Sequence, residues 1–384
     1  MQTFHLVLGI LTAGFTTLAA DKPDFTLHEW GTFTSVSGSD GVLLPRLERE
    51  EERLPGFVLQ HDGMPQRGKG YSRPLHNVTI KMETPVIYFY ANQAFKAHVQ
   101  VGFNGGSISQ WFPERSGGET PPHTPLLSLL GSSGGDIDFA KNYQGSIEWN
   151  VQVQPPSADD SAAIFKNGET LTWVYPRQTD SALVRTPDGA AEKFLFYRGV
   201  GNFLLPVKFT LPEDNTLHMK NVSQETIPSV LIFNHSAYDD KMSFVLLDPL
   251  KAGEARTVKL AEPKTSANWQ HEVYAAMRGA LVQAGLFPKE ADAMLQTWWS
   301  SYFLRPGLRA FWIAPENFTR SILPLNVEPS PRQQTRVLVG RSELLAPSFE
   351  QDLVKKISQP DNPLSYDRYF AAYEARVNAL KPGH

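Results

Sequence analysis

The chain has 384 residues, of which 41% are hydrophobic and 20% are charged. These are ordinary values for globular proteins, and they exclude a chain that is disordered throughout. The formal net charge of −4 offers no basic surface to a nucleic acid or an anionic membrane, so we expect no nucleic acid as a partner.

The N-terminal 20 residues have the pattern of a secretory signal peptide. An apolar run from Phe4 to Ala13 is followed by small residues that end at Ala20. We therefore predict export to the periplasm or the extracellular space of a bacterium, with cleavage near Ala20. Later segments fall short of the ~18 continuous apolar residues of a membrane-spanning helix, so no integral membrane segment is expected after cleavage.

From residue 25 to about residue 260, short alternating runs between turn residues predict β-strands. The clearest run is GSIEWNVQVQP, in which apolar and polar residues alternate. Further strands are expected over VTIKMETPVIYFY, AHVQVGF, TLTWVYP and EKFLFYRGVGNFLLPVKFTL. We place an N-terminal β domain at residues 21–159 and a second β-sandwich module at residues 160–262. The short strand spacing of the second module is typical of an immunoglobulin-like fold.

Beyond residue 262 the spacing of apolar residues becomes that of helices. Apolar stripes predict two packed helices, with Gly285 ending the first and Pro288 beginning the second. Strands are then expected over LRAFWIAP and TRVLVGRSELLAP, before a last helix near the C-terminus. The sequence therefore predicts a mainly β protein of β-sandwich modules with a C-terminal α+β region at residues 263–384.

The segment FTLHEWGTFT raises the question whether His28 and Glu29 take part in chemistry. A zinc-protease motif would need a second histidine at position 32, where the chain has Thr32. On a regular strand His28 and Trp30 share one face, while Glu29 lies on the other face among apolar residues. His28 and Glu29 therefore cannot bind one ion together, unless a bulge at Gly31 turns one of them.

A carboxylate on an apolar face needs a partner. Arg198, in the stretch FLFYRGVGNF, is the best candidate for Glu29, and Glu83 is the other acid it could pair with. We predict a buried ion pair that involves Arg198, most plausibly with Glu29. The alternative is catalysis by Glu29, Glu83 and Arg198, in which the two carboxylates act as acid and base of an envelope hydrolase.

A metal site is a further alternative, because five histidines lie between residues 28 and 123. No two of them have the spacing of metal ligands, so we predict no metal; a bound ion would have His28, His76 and His123 as candidate ligands. The sequence carries no cysteine and no nucleotide-binding loop, so disulfides are excluded and no cofactor is expected.

The function we predict is binding without chemistry, in the cell envelope. His28, Trp30 and Arg198 are the candidate ligand contacts, and a glycan or another envelope protein is the candidate partner. Tryptophans in the β region could stack on sugars, although large aromatic residues on alternating strands are mostly part of the core.

Several stretches of the chain resemble a group of uncharacterised exported bacterial proteins. They are LHEWGTFT, KMETPV, FYRGVGNF and GLFPKEADAMLQTWW, and the resemblance extends from about residue 25 to residue 346. It implies export and no particular activity.

Overall fold

The protein is described by a computed structural model that covers residues 22–50, 53–61, 75–119, 137–164, 170–236, 241–359 and 362–381. The predicted signal peptide and His123 lie outside these described residues. Most of the regular structure is β, as the sequence predicts. None of the described helices is both long and apolar enough to cross a lipid bilayer.

The strands of the first half of the chain are β1 (Phe25–Ser37), β2 (Leu59–Gln60), β3 (Leu75–His76), β4 (Ile80–Ala91), β5 (Phe95–Asn104), β6 (Gly106–Phe112), β7 (Gly117–Gly118), β8 (Ile137–Asp138), β9 (Gln144–Gln154), β10 (Leu183–Arg185) and β11 (Ala191–Glu192). Those of the second half are β12 (Leu195–Gly201), β13 (Val207–Glu213), β14 (Thr216–Asn221), β15 (Val230–His235), β16 (Met242–Leu247), β17 (Ala255–Lys259), β18 (Gly307–Ile313), β19 (Leu325–Glu328) and β20 (Gln333–Leu344).

The described helices are α1 (Asp160–Ala163), α2 (Leu171–Val174), α3 (Trp269–Gln283), α4 (Pro288–Tyr302), α5 (Glu316–Ile322), α6 (Pro347–Lys356) and α7 (Phe370–Leu380). Single 3-10 turns lie at Tyr175–Arg177 and Pro363–Tyr366.

One mixed sheet of 15 strands contains most of these strands. Its main path runs β11-β10-β9-β6-β12-β4-β1-β20-β18-β15-β16. At its centre, β1 pairs antiparallel with β4 and parallel with β20. A separate sheet has the order β13-β14-β17, and β3 pairs with β8.

The three predicted segments interleave in this sheet. Strand β12, from the second predicted module, lies between β4 and β6 of the first, and β20 from the C-terminal region lies beside β1. The predicted boundaries at residues 159 and 262 therefore do not separate sheets. Turn spacing indicates where strands begin and end, but the pairing of distant strands depends on tertiary contacts that a local pattern does not contain.

The two faces of the large sheet carry different layers. On one face, Phe33 and Ile232 of the large sheet share a hydrophobic cluster with Phe209 of the small β13-β14-β17 sheet. On the other face, Trp30 of β1 shares a cluster with residues of α3 and α4, such as Met277. We call these the sheet-covered face and the helix-covered face.

The predicted helical pair is confirmed. Helices α3 and α4 pack together, Gly285 between them has a φ of +111°, and Pro288 is the first residue of α4. The apolar stripes predicted for both helices are buried, namely Val273, Met277 and Leu281 on α3 and Ala291, Leu295, Trp298 and Tyr302 on α4. These helices could be predicted from the sequence because helical periodicity depends only on residues close together in the chain.

The stretch TLTWVYP is not a strand, contrary to the prediction. It forms α2 and the following 3-10 turn. Trp173 is buried, its ring packs 4.9 Å from that of Phe196, and its indole N–H donates to Glu192 at 2.9 Å. Pro176 has no N–H to donate to a strand ladder, which also disfavours a central strand.

Candidate functional site

Glu29 is fully buried on the sheet-covered face, where it is paired as expected but not with Arg198. The Tyr197 hydroxyl donates to one of its oxygens at 2.5 Å, and Nε of Arg336 donates to the other at 2.5 Å. The predicted partner was wrong because side chains alternate along β12, which puts Tyr197 on the face of Glu29 and Arg198 on the opposite one.

Arg198 instead pairs with Glu83 on the helix-covered face. Its Nη1 lies 3.3 Å from Glu83 Oε2, its Nε donates to Gln110 at 2.5 Å, and its Nη2 donates to Glu50. The ion pair of Glu83 with Arg198 is therefore confirmed. Glu50 belongs to the charged run LEREEERL.

A β-bulge explains why Glu29 and Glu83 lie on opposite faces. Between β1 and β4, one residue of β1, Gly31, faces the two residues Thr84 and Pro85 of β4. A Cβ on Gly31 would lie 2.9 Å from the Cα of Pro85, so this close approach requires glycine. The extra residue lies on β4 rather than on β1. Glu29 and Glu83 point away from each other and cannot act as acid and base on one bond.

His28 points to the helix-covered face, away from Glu29, as the alternation predicts. Its Nδ1 lies 2.8 Å from Oε2 of Glu290, and its ring stacks on Phe287 with 4.3 Å between the centroids. Glu290 also accepts hydrogen bonds from the Tyr90 hydroxyl and from the backbone N–H of Phe287. His28 therefore joins β1 to the first turn of α4.

The candidate ligand contacts His28, Trp30 and Arg198 are each at most 1% exposed. None of them presents a side chain to a ligand in this structure. The candidate metal ligands are also not brought together, because His28 is buried while His76 lies exposed on β3. Among the described residues, no three histidines, aspartates or glutamates converge as they would around a metal ion.

A cavity of about 850 Å³ lies near the Arg198 cluster, where β15, β18 and β20 meet the end of α4 and the C-terminal segment. Glu50, the partner of Arg198, lines this cavity. Its basic lining consists of Arg49, Arg305, Arg309 and Arg368. Its other acids are Asp214, Glu262, Glu343 and Asp367, and Asn234, Ser300 and Ser301 add polar groups.

One wall of the cavity gathers three guanidinium groups around the carboxylate of Glu343. Arg309 Nε lies 3.1 Å from Glu343 Oε2, while Arg341 Nε and Arg368 Nη2 lie 2.8 and 3.5 Å from Oε1. Arginine remains protonated in proteins, so all three guanidiniums are charged. Arg309, Arg341 and Glu343 are buried, where charged groups need partners.

The pKa values of the cluster reflect burial and the closeness of its charges. Burial of Glu343 raises its pKa, but Arg309, Arg341 and Arg368 outweigh burial and lower it to about 2. The pKa of Arg309 is lowered from its ordinary value, first by burial and then by its cationic neighbours, against the opposing effect of Glu343. A second anion beside these guanidiniums would stabilise them.

Arg305 is the cation of this site that is most available to a ligand. It lines the cavity and is exposed, and its guanidinium makes no hydrogen bond or ion pair with another residue of the described ranges. By contrast, Arg309 is occupied by Glu343 and by the backbone carbonyls of Tyr302, Arg305 and Pro306. The guanidinium of the buried Arg309 is thus already paired, whereas that of the exposed Arg305 is free to bind a ligand.

Sequence reasoning did not find Arg309, Arg341 or Glu343. Each is a charged residue inside an otherwise apolar strand, in the runs LRAFWI and VLVGRSELL. This is the same signal that singled out Glu29, and applying it to the second half of the chain identifies all three. Arg305 lies in a turn and carries no such signal.

No family model and no curated protein matches the chain. Among solved structures, it is similar to the mu-homology domain of yeast delta-COP-I in complex with a Dsl1 WxWxV peptide, with 8% identity, a TM-score of 0.29, and coverage of 84% of this chain and 98% of that one. The same yeast domain alone gives 7% identity and a TM-score of 0.29, with coverage of 84% and 97%. A Bacteroides uniformis beta-glucuronidase gives 12% identity and a TM-score of 0.14, over 75% of this chain and 28% of that one. Similarity at this level identifies neither a fold family nor a function.

Proposed function

We propose that this protein is an exported binding protein of the cell envelope, and that its large cavity takes a ligand with a carboxylate or phosphate group. The observation that carries the proposal is the guanidinium of Arg305, which lines the cavity and has no partner among the described residues, close in the chain to Arg309 of the buried arginine cluster around Glu343. The signal-peptide pattern of the N-terminal 20 residues supports export.

An anionic ligand suits the guanidinium groups of the cavity. Buried charge is tolerated when it is paired and hydrogen-bonded, and here three guanidiniums contact the carboxylate of Glu343. A ligand oxyanion binds the guanidinium of Arg305, which has no partner among the described residues and lies at the exposed side of the cavity that Arg368 also lines. Guanidiniums bind carboxylates and phosphates in the same planar geometry, so the two share one recognition chemistry.

The size and lining of the cavity fit a small ligand. A volume of about 850 Å³ lies within the range of ordinary small-molecule sites, roughly 300–1,000 Å³. Asn234 and Ser300 offer neutral hydrogen-bonding groups for hydroxyls of the ligand. Catalysis by Glu29 and Glu83 is not part of the proposal, because these residues lie on opposite faces of the sheet.

We also interpret the small β13-β14-β17 sheet as the second layer of an immunoglobulin-like β-sandwich. Its inward residues, such as Phe209 and Met219, share one hydrophobic cluster with Val230 and Ile232 of β15. Strands that are successive along the chain thus alternate between two layers around a common core, which is the arrangement of such sandwiches.

The binding proposal is tested by titrating the purified mature protein with glycerol phosphate and, separately, with galacturonate in a calorimeter. We expect saturable binding of one of the two anions. Replacing Arg305 by glutamine should weaken that binding by about tenfold or more, since a hydrogen bond to a charged group contributes roughly 1.5–3 kcal/mol. Arg332→Gln is the matched control, because Arg332 is exposed, pairs with Asp24 and lies outside the cavity lining.

The two titrations distinguish the sources of the anion. Binding of glycerol phosphate alone identifies a phosphate site, and binding of galacturonate alone identifies a carboxylate site. The proposal is overturned if neither anion binds, or if Arg305→Gln and Arg332→Gln bind equally well.

Export is tested by expressing the full chain in a bacterium and sequencing the N-terminus of the protein recovered from the cell envelope. We expect a mature N-terminus within a few residues of Asp21, since the small residues before it mark the cleavage site. An intact Met1 on envelope material would contradict the predicted cleavage.

A further inference from the structure

A second depression, of about 360 Å³, lies on the outer surface of the helical pair. Its lining, which we call the aromatic groove, consists of Tyr175, Gln270, His271, Tyr274, Gln296 and Trp299. These residues come from the 3-10 turn after α2, from α3 and from α4. None of them lines the larger cavity.

The aromatic rings of the groove are held in place from behind. Trp299 and Tyr274 are half-buried, with ring centroids 5.7 Å apart and planes at 55°. The indole of Trp299 stacks on that of Trp269, with centroids 6.4 Å apart and planes at 17°. The Tyr274 hydroxyl donates to Asp292 at 2.8 Å. Rings fixed in this way lose little conformational entropy when a ligand binds.

The polar groups of the groove are available to a ligand. Gln270 and His271 are exposed in the first turn of α3, and the side chains of both are free of hydrogen bonds to the described part of the chain. Gln296 of α4 lines the groove with them. Amide side chains offer both donors and acceptors, which suits hydroxyl groups that act in both roles.

The residues that line the groove indicate which class of ligand it can bind. None of its six lining residues is a lysine, an arginine, an aspartate or a glutamate, unlike the lining of the larger cavity. Each lining side chain also has a polar atom, whereas a site for an apolar anchor has purely apolar walls. A neutral ligand with many hydroxyl groups and one apolar C–H face matches both properties.

We propose that the aromatic groove binds a neutral carbohydrate. The C–H face of a sugar ring packs on Trp299 and Tyr274, and Gln270 and Gln296 bind its hydroxyls. Rigid aromatic rings with polar tips are suited to such amphipathic surfaces. This site is independent of the proposed anion site, and either can exist without the other.

The test uses the full mature protein and three neutral probes: cellotetraose, maltotetraose and chitotetraose. Tryptophan fluorescence and calorimetry would follow the titrations. We expect at least one probe to bind saturably and to change the fluorescence, because Trp299 lies in the groove. Gln270→Ala should weaken binding several-fold and Trp299→Ala at least tenfold, whereas Trp299→Phe should retain part of the affinity because it keeps an aromatic face.

Two controls keep the proposal falsifiable if Trp299→Ala folds poorly. Gln270 is exposed and its side chain makes no hydrogen bond to the described residues, so we expect its variant to fold and to test the groove in an intact protein. Arg305→Gln should leave carbohydrate binding unchanged, which separates this site from the anion cavity. Failure of all three sugars to bind, or equal binding by the parent, Gln270→Ala and Trp299→Ala, overturns the proposal.

Discussion

The two buried charge clusters on opposite faces of the central sheet both join glutamate to arginine and differ in their surroundings. On the sheet-covered face, the carboxylate of Glu29 meets one guanidinium, that of Arg336, and one hydroxyl, that of Tyr197. On the helix-covered face, the carboxylate of Glu343 meets three guanidiniums beside a cavity. The first cluster is sealed inside the core, and the second lies beside a cavity at which Arg305 is exposed and has no partner among the described residues.

This contrast shows that burial of a charge does not by itself indicate its role. A matched ion pair inside an apolar core contributes to the specificity of the fold. Removal of one partner destabilises the protein because the other charge is left buried and unpaired. A charge cluster beside a cavity, with an exposed and free Arg305 next to it, can also take part in binding a ligand. The predictions below test the difference between the two clusters.

The largest expected effect is that of Glu29→Ala. Without this carboxylate, the guanidinium of Arg336 stays buried and unpaired, so the free energy of unfolding should fall by about 3–5 kcal/mol. His28→Ala should cost less, because Glu290 keeps its bonds to Tyr90 and to the backbone of Phe287. Thermal melts and urea unfolding of both variants beside the parent would measure this.

A double variant sharpens the same prediction. Glu29→Leu with Arg336→Met removes both charges, and it should recover most of the stability lost in Glu29→Ala, since a buried pair is often replaceable by apolar residues. If Glu29→Ala melts at the temperature of the parent, the sealed cluster does not have the structural role assigned to it.

The next effect is the pH dependence that Glu343 confers. Its pKa is lowered from 4.5 to about 2 by the surrounding guanidiniums in spite of burial. A group with a lowered pKa stabilises the folded state fully above its unfolded pKa, and this stability is lost as pH falls towards the folded pKa. Between pH 4.5 and pH 2, the parent should therefore lose on the order of 3 kcal/mol more than Glu343→Gln does.

This difference is measured by urea unfolding of both proteins at several pH values. Near pH 7 the parent should be the more stable protein, and the gap should close towards pH 2. A gap that stays constant over this range would show that the three arginines do not lower the pKa of Glu343.

The smallest expected effect on stability is that of Arg305→Gln. Since Arg305 is exposed and makes no side-chain pair with the described residues, its replacement should change the free energy of unfolding by less than about 0.5 kcal/mol. The same variant should lose ligand affinity. Thermal melts without ligand and with glycerol phosphate or galacturonate would separate the two effects. A large loss of stability without ligand would show that Arg305 is structural.

The sequence predicted local features well. The end of α3 at Gly285, the start of α4 at Pro288 and the alternation along β9 depend only on neighbouring residues. It also predicted that Glu29 is buried and paired, because a carboxylate on an apolar face has no other stable arrangement. The identity of its partner could not be predicted, since Arg336 lies on a strand that pairs with β1 only in the folded sheet.

The candidate site could not be predicted from the sequence, because its residues also meet only in the folded sheet. Arg309, Arg341 and Arg368 come from β18, from β20 and from the segment before α7, and a turn at the end of α4 adds Arg305. No spacing rule relates these positions. The bulge at Thr84 and Pro85, which sends Glu83 to the helix-covered face, also leaves no clear sign in the pattern of apolar residues.

The parallel pairing of β1 with β20 has a consequence for how the chain acquires its structure. These neighbours at the centre of the sheet are separated by 307 residues at the contact of Glu29 with Arg336. While the polypeptide emerges from the ribosome, β1 has one open edge until β20 has been synthesised. Contacts of such long range form slowly, and open strand edges favour aggregation. The nascent chain is therefore exposed to self-association for as long as β20 is missing.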